Sequence, residues 1–432
     1  MESFLIFLFF IIALLLLLST GLPVAVSMGI IGILGAIFFV SPRILSQFSS
    51  IAFTQSTSFV LLAAPLFILM SETLAASPIG DRLFRAGRFW MGQLPGSLAM
   101  GTILASTAFS AATGSSVVTS ATIGRIAVGE MERNNYSKRL ALGAVAAGGT
   151  LGILIPPSIP MIIYAVVTET SIGALFMAGI IPGLMLFALL CLNTLLLVKR
   201  NPELAPPLQE RVPIKERLLS LTSVLPALLL GLLVLGSIYT GVATPSESAA
   251  IGAVGAFLIV GFLGFLRGKL QSILCNTLCT TAMFLFLVIC GLFASFVLNR
   301  LGVPQGMANT LLSLDIPAWA IIIMINVLLL MLGMFLDPMS ILVVMVPIFF
   351  PTVMAMGYDP IWFGIMLTIN VQIGAVTPPV GLNLFVMKSV LPSVDMKDVI
   401  VGALWFIVPL AVGLILVILF PQIALFLPSL MR

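Results

Sequence analysis

Apolar runs separated by short polar stretches fill the chain. In the first half they fall near 4–19, 22–40, 51–77, 96–131, 140–168 and 171–198; in the second they occupy 218–299, 317–357 and 361–388 before a last apolar stretch. About 20 consecutive apolar residues cross the hydrocarbon of a bilayer as a helix, so the pattern predicts an all-α polytopic membrane protein. Two runs carry the same interruption, Gly152-Ile-Leu-Ile-Pro156-Pro157 and Gly374-Ala-Val-Thr-Pro378-Pro379. Proline removes a backbone donor and clashes with the preceding turn, so both helices are expected to open there. In lipid, open backbone persists only where it lines a protein-buried or watery cavity, and a matched pair of such breaks points to the central binding site of a secondary transporter.

The breaks belong to a longer correspondence. At one constant offset Gly80 aligns with Gly302, Ala86 with Ala308, Pro95 with Pro317, Tyr136 with Tyr358, and Gly152, Pro156 and Pro157 with Gly374, Pro378 and Pro379, without a gap. Upstream, at a slightly smaller offset, Thr20-Gly21 aligns with Thr240-Gly241, Gly32 with Gly252, and Gly35-Ala36 with Gly255-Ala256. The chain reads as two copies of one unit, residues 1–198 and 218–432, joined by a charged, proline-rich linker over 199–217.

Basic residues favour the cytoplasmic side and so orient the copies. The run 96–131 has Arg82, Arg85 and Arg88 before it and Arg133, Lys138 and Arg139 after it, which puts both its ends on one side. A re-entrant hairpin turning over 111–116 satisfies this. Each copy then crosses five times, and the odd number inverts the second copy. Its hairpin, about 317–357, enters from outside and turns near 333–340; both termini lie outside. Scaffold spans are expected over about 1–77 and 218–299, and broken helices over about 140–168 and 361–388. The remaining charges agree: Lys199, Arg200, Arg211, Lys215, Arg217, Arg267, Lys269, Lys388 and Lys397 join the cytoplasmic side, against Arg43, Arg300 and Arg432 outside. The loops matching the basic ones, 300–317 and 354–360, hold Arg300, Asp315 and Asp359. Equivalent loops with opposite charge bias are what inverted repeats require.

Composition narrows the function. The 432 residues are 60% hydrophobic and 8% charged, far from the roughly 25% charge of soluble domains. The net charge of +4 is distributed by side of the membrane and gives no sign of nucleic-acid binding. There is no histidine, which removes the commonest acid-base group and metal ligand. Cys191, Cys275, Cys279 and Cys290 lie in apolar runs, where small apolar packing accounts for them. The first apolar run follows Met1-Glu2 instead of the basic leader of a signal peptide, and is expected to be a spanning helix. No phosphate-binding Gly-x-x-x-x-Gly-Lys-Ser/Thr loop occurs, so uphill transport would draw on an ion gradient.

Four breaks, two hairpin tips and two Pro-Pro kinks, are expected to converge. Helix carbonyl ends suit Na⁺, and helix N-H ends suit a carboxylate. At the first pair the oxygen donors are Ser110, Thr113, Ser115 and Ser116 around Gly114, facing Gly148, Gly149 and Thr150. Small residues also pack membrane helices tightly, but their clustering at a turn favours Na⁺ binding. At the second pair Asp337 is the lone acid in the apolar run from Ala318 to Tyr358, with Ser340 beside it. An intramembrane carboxylate costs about 2.5–3.5 kcal/mol on insertion scales, so it calls for a cation or a proton. Asp337-Pro338 also reads as a helix N-cap, and both roles are compatible. Asn370, Gln372, Gly374, Thr377 and Asn383 supply the other polar groups there. Arg125, about ten residues or roughly 15 Å of helix from the first tip, either meets an anionic substrate or snorkels to the surface. Thr244-Pro245-Ser246-Glu247 reads as a capping box.

These residues carry a resemblance. Over essentially its whole length the chain resembles the large membrane subunit of tripartite ATP-independent periplasmic (TRAP) transporters, through Gly152-Ile-Leu-Ile-Pro-Pro-Ser158, Gly374-Ala-Val-Thr-Pro-Pro-Val-Gly-Leu-Asn-Leu-Phe385 and Thr244-Pro-Ser-Glu-Ser-Ala-Ala250. The last is similar to the family's Thr-Pro-Thr-Glu-Ala-Ala with conservative departures. The resemblance implies Na⁺-driven uptake of a small organic acid, a C4-dicarboxylate, keto acid or sialic acid, into a bacterium across the inner membrane. The substrate-binding candidates are Arg125, Ser158 and Asn383. The resemblance also implies a periplasmic binding protein, a small four-helix membrane subunit expected as a separate chain, and an elevator motion of hairpins and broken helices against a scaffold. The rival expectations are a self-sufficient sodium and anion symporter and, from another class, a membrane-embedded enzyme. The enzyme would usually show clustered His or paired acids, which the sequence lacks.

Overall fold

Lipid offers the backbone no hydrogen-bond partner, so long apolar runs satisfy it internally as helices. The computed structural model of the chain describes residues 2–207, 212–313 and 316–430. Expectations resting on Met1, Arg211, Asp315 and Arg432 lie outside the described residues. The first half consists of α1 (Glu2–Ser19), α2 (Val24–Gly35, continued by a π turn over Ala36–Val40), α3 (Ser46–Ser56), α4 (Ala63–Ala75), α5 (Ile79–Met91), α6 (Ser97–Thr113), α7 (Ser116–Arg133), α8 (Lys138–Leu154), α9 (Ile159–Thr168) and α10 (Ile172–Arg200). The second half holds α11 (Ile214–Tyr239), α12 (Pro245–Phe262), α13 (Leu270–Arg300), α14 (Val303–Leu312), α15 (Ala318–Gly333), α16 (Pro338–Ala355), α17 (Pro360–Ala375), α18 (Leu382–Val390), α19 (Met396–Leu419) and α20 (Gln422–Ser429). Among the described residues seven helices are long and apolar enough to cross a membrane, α8 with α9 counting as one; α4 with α5, bent by 71°, would make an eighth.

Three expectations need correction. The single span over 51–77 is broken: α3 stops at Ser56 and α4 starts at Ala63. The Thr57 hydroxyl bonds the Phe53 carbonyl (2.9 Å) and the Ser58 hydroxyl accepts from the Leu61 amide (3.4 Å). Such local bonds compete with the helix ladder, and hydropathy is blind to them. The basic stretch after residue 77 and the stretch after Arg300 are helices, α5 and α14, instead of loops. Finally the linker shortens, because α10 continues through Arg200 and α11 begins at Ile214.

Cross-chain hydrogen bonds fix how the two broken helices lie. Arg139, at the start of α8, pairs with Asp398 at 2.8 Å; the Ala146 carbonyl accepts from Asn383 Nδ2 at 3.3 Å; Tyr164, on α9, donates to the Pro360 carbonyl at 2.6 Å. As one chain segment ascends from 139 to 164, its partner descends from 398 to 360, so α8–α9 and α17–α18 run antiparallel. The hairpin bases follow suit. Tyr136 accepts from the Leu98 amide (3.4 Å) and Ser137 donates to Leu204 (2.8 Å), at the end that carries Arg139. Phe350 packs edge-on against Tyr164 at the other end.

Candidate functional site

The chain opens at four places, and the four meet. Residues 114–117 of the first tip, Ile153, Ile159 and Pro160 of the first break, Asp337 to Met339 of the second tip and Leu382 of the second break wall one cavity of about 60 Å³. Each wall segment includes the first turn of a helix: α7, α9, α16 and α18 all begin there. A helix N-terminus presents unpaired N-H groups and about half a positive charge. Ser115 caps α7 by accepting from Val118 (3.3 Å), and Ser158 caps α9 by accepting from Met161 (3.4 Å) while donating to the Ile153 carbonyl. Asp337 caps α16 by accepting from the Met339 and Ser340 amides (3.1 and 3.3 Å), and its other oxygen accepts from the Ser340 hydroxyl. Gly381 before α18 has no side chain to cap with. The geometry gathers positive helix ends around one carboxylate, and such ends favour negative charge.

Backbone contact between tips and breaks shapes the cavity. Gly114 has φ +64, the left-handed region glycine favours, and a Cβ there would strike the Pro157 carbonyl. In the second half a Cβ on Gly374 would lie 2.8 Å from the Gly333 backbone, and the Met334 carbonyl accepts from the amides of Val380 (3.1 Å) and Gly381 (3.2 Å). The Pro156-Pro157 and Pro378-Pro379 bonds are both cis.

The other sequence candidates lie on or beside the helices that flank these breaks. Ser110 and Thr113 are buried and both meet the Thr119 hydroxyl at 3.2 Å; sequence reading missed Thr119 because it lies past the turn, inside α7. A Cβ on Gly148 would lie 3.2 Å from the Ser106 hydroxyl, and one on Gly149 would overlap the Ser120 hydroxyl. Both glycines thus admit serines of the hairpin. Thr150 bonds its own helix at Ala147 (2.7 Å), as Thr377 does at Ile373 (2.6 Å). Asn370 donates to the carbonyl and side-chain oxygens of Asn326, both at 2.9 Å, a second partner the sequence did not reveal. Gln372 is fully buried, and neither of its amide atoms has a hydrogen-bond partner. Ser116 lines the cavity and Ser340 reaches it through Asp337. Arg125 does not line it and belongs to a separate cleft.

A many-spanning helical protein whose interrupted helices converge on one internal cavity has the architecture of a membrane transport protein. The chain belongs to the family described as "Tripartite ATP-independent periplasmic transporter, DctM component", whose model matches residues 11–423. It is 37% identical over 405 residues to the C4-dicarboxylate TRAP transporter large permease protein DctM of Pseudomonas aeruginosa, covering 93% of this chain and 94% of that one. It is 34% identical to the sialic acid large permease SiaM of Vibrio cholerae (86% and 87% covered) and 33% identical to the ectoine large permease TeaC of Halomonas elongata (86% of each). Among solved structures the fold is similar to the YdaH transporter of Alcanivorax borkumensis, with TM-score 0.61 at 16% identity over 85% of this chain and 87% of that one. The chain is therefore a multi-pass transporter permease, which removes the membrane-enzyme reading.

Proposed function

We propose that the chain is the transport subunit for Na⁺-driven uptake of a small organic anion, with a C4-dicarboxylate the first candidate. A periplasmic binding protein delivers the anion, and a separate small four-helix membrane subunit completes the complex in the bacterial inner membrane. The observation that carries this reading is the convergence of four helix N-termini on one cavity with a carboxylate in its wall. The N-termini receive a substrate carboxylate; Asp337, the tip hydroxyls and the adjoining carbonyls receive Na⁺. Gln372, buried with both amide atoms unpaired, is a further polar group available to the ions. The cavity of about 60 Å³ is far below the roughly 300–1,000 Å³ of small-molecule pockets, so loading a dicarboxylate requires the tips to part from the breaks. In an elevator cycle α6–α9 and α15–α18 move together against the remaining spans. The antiparallel pairing of α8–α9 with α17–α18 supports an inverted-repeat arrangement with both termini in the periplasm.

Proteoliposomes holding the permease and its small subunit test this. Uptake of a C4-dicarboxylate is expected only with the binding protein present and an inward Na⁺ gradient. Uptake of free substrate without the binding protein favours the self-sufficient symporter, and uptake undiminished when K⁺ replaces Na⁺ removes sodium coupling.

A further inference from the structure

A second opening differs in composition from the transport cavity. A cleft of about 510 Å³ runs between α5 and α7, lined by Asp81, Arg85 and Arg88 from one and Arg125, Glu130 and Arg133 from the other, over an apolar floor that includes Phe84 and Ile126. Glu130 holds Arg88 at 2.7 Å and Arg133 at 3.9 Å. Arg85 and Arg125 are exposed, and no ion pair engages either among the described residues. Among the described residues of the lining, Arg85 and Arg125 add positive charge that no ion pair offsets, in a concave site of ordinary ligand size.

Its depth follows from the helices. α4 and α5 meet at 71°, so if α4 crosses the bilayer, α5 runs close to its surface. α5 is amphipathic, with Leu83, Phe84 and Ala86 buried and Asp81 and Arg85 exposed. It ends beside Trp90, 46% exposed, and Leu94, 50% exposed, and exposed Trp marks the headgroup region. Guanidinium groups take phosphate through paired N-H donors, and basic pockets at the cytoplasmic ends of spanning helices hold anionic headgroups.

We propose that this cleft binds the phosphodiester headgroup of an anionic phospholipid, with Arg85 and Arg125 as the clamping pair and Ile126 against the glycerol. The lipid thereby bridges α5 to the return arm of the first hairpin. Native mass spectrometry of the intact complex, titrated with phosphatidylglycerol or phosphatidylcholine, tests it. The wild type should retain phosphatidylglycerol and not phosphatidylcholine, with affinity on the order of thirtyfold lower in Arg85→Gln/Arg125→Gln. Arg43→Gln, an exposed arginine outside the cleft, should bind as the wild type does. The single reversal Arg85→Glu gives a second reading should the double variant fold poorly, and it too should lose the lipid. Equal retention of the two lipids, or undiminished binding by the folded cleft variants, overturns the proposal. So does displacement of the lipid by inorganic phosphate at equal concentration, which would assign the cleft to a soluble anion.

Discussion

Asp337 carries two duties that a single substitution can separate. It caps α16 through two backbone amides, and it is the acid in the cavity wall. Asparagine caps almost as well as aspartate, whereas loss of a cap costs about 1 kcal/mol. Asp337→Asn should therefore keep thermal stability in detergent near the wild type yet lose Na⁺-dependent uptake, while Asp337→Ala loses both; wild-type Na⁺ dependence in the Asn variant takes Asp337 out of the ion site. Gly114→Ala forces an L-residue into a left-handed conformation, costing about 1–2 kcal/mol, and sets its Cβ on the Pro157 carbonyl. It should lower the unfolding temperature by more than Asp337→Ala does and abolish uptake. The hydroxyls of the first tip and the lone acid of the second were legible because polar groups are conspicuous in apolar runs. Thr119, Ser106 and Ser120 were not, since their partners come from spatial neighbours that no local pattern announces.

At the scale of elements, proline did most of the signalling. The helices are interrupted at both Pro-Pro pairs, between α6 and α7 and between α15 and α16, because missing donors and small turn residues act within a few positions. The interruption at 57–62 contains neither Pro nor Gly, and its one signal, the polar stretch Thr54 to Ser58, sits inside an otherwise apolar run, so it escaped. α5 escaped for the opposite reason: its arginines suggested a loop, although its buried positions follow helical spacing. The contacts that hold the broken helices side by side differ in weight. The Tyr164 hydroxyl meets the Pro360 carbonyl in a largely buried setting, so Tyr164→Phe should cost about 0.5–1.5 kcal/mol. Arg139–Asp398 is partly exposed to solvent, and Asp398→Asn should cost under about 1 kcal/mol, less at high salt. Thermal unfolding of the two variants at low and high salt checks both magnitudes; a salt-insensitive loss in Asp398→Asn would contradict this ranking.

For the whole molecule, the weight of the account rests on two units of opposite orientation bringing their opened helices to a common centre. The end that carries Arg139, Leu204 and Asp398 also gathers the first hairpin base, and in the proposed orientation its basic residues place it in the cytoplasm. The base of the second hairpin, near Tyr164 and Pro360, then belongs outside. Moving the hairpins together against the other spans would expose the cavity alternately to each side without ever opening a continuous pore. The most direct measurement labels single cysteines, Asn135→Cys beside the first hairpin and Asn309→Cys ahead of the second, in a cysteine-free permease in intact cells with an impermeant maleimide. Labelling of Asn309→Cys alone, with Asn135→Cys reacting only after permeabilisation, is the expected result; equal reactivity of the two from one side of the membrane would contradict the opposed orientation and with it the shared cavity's logic.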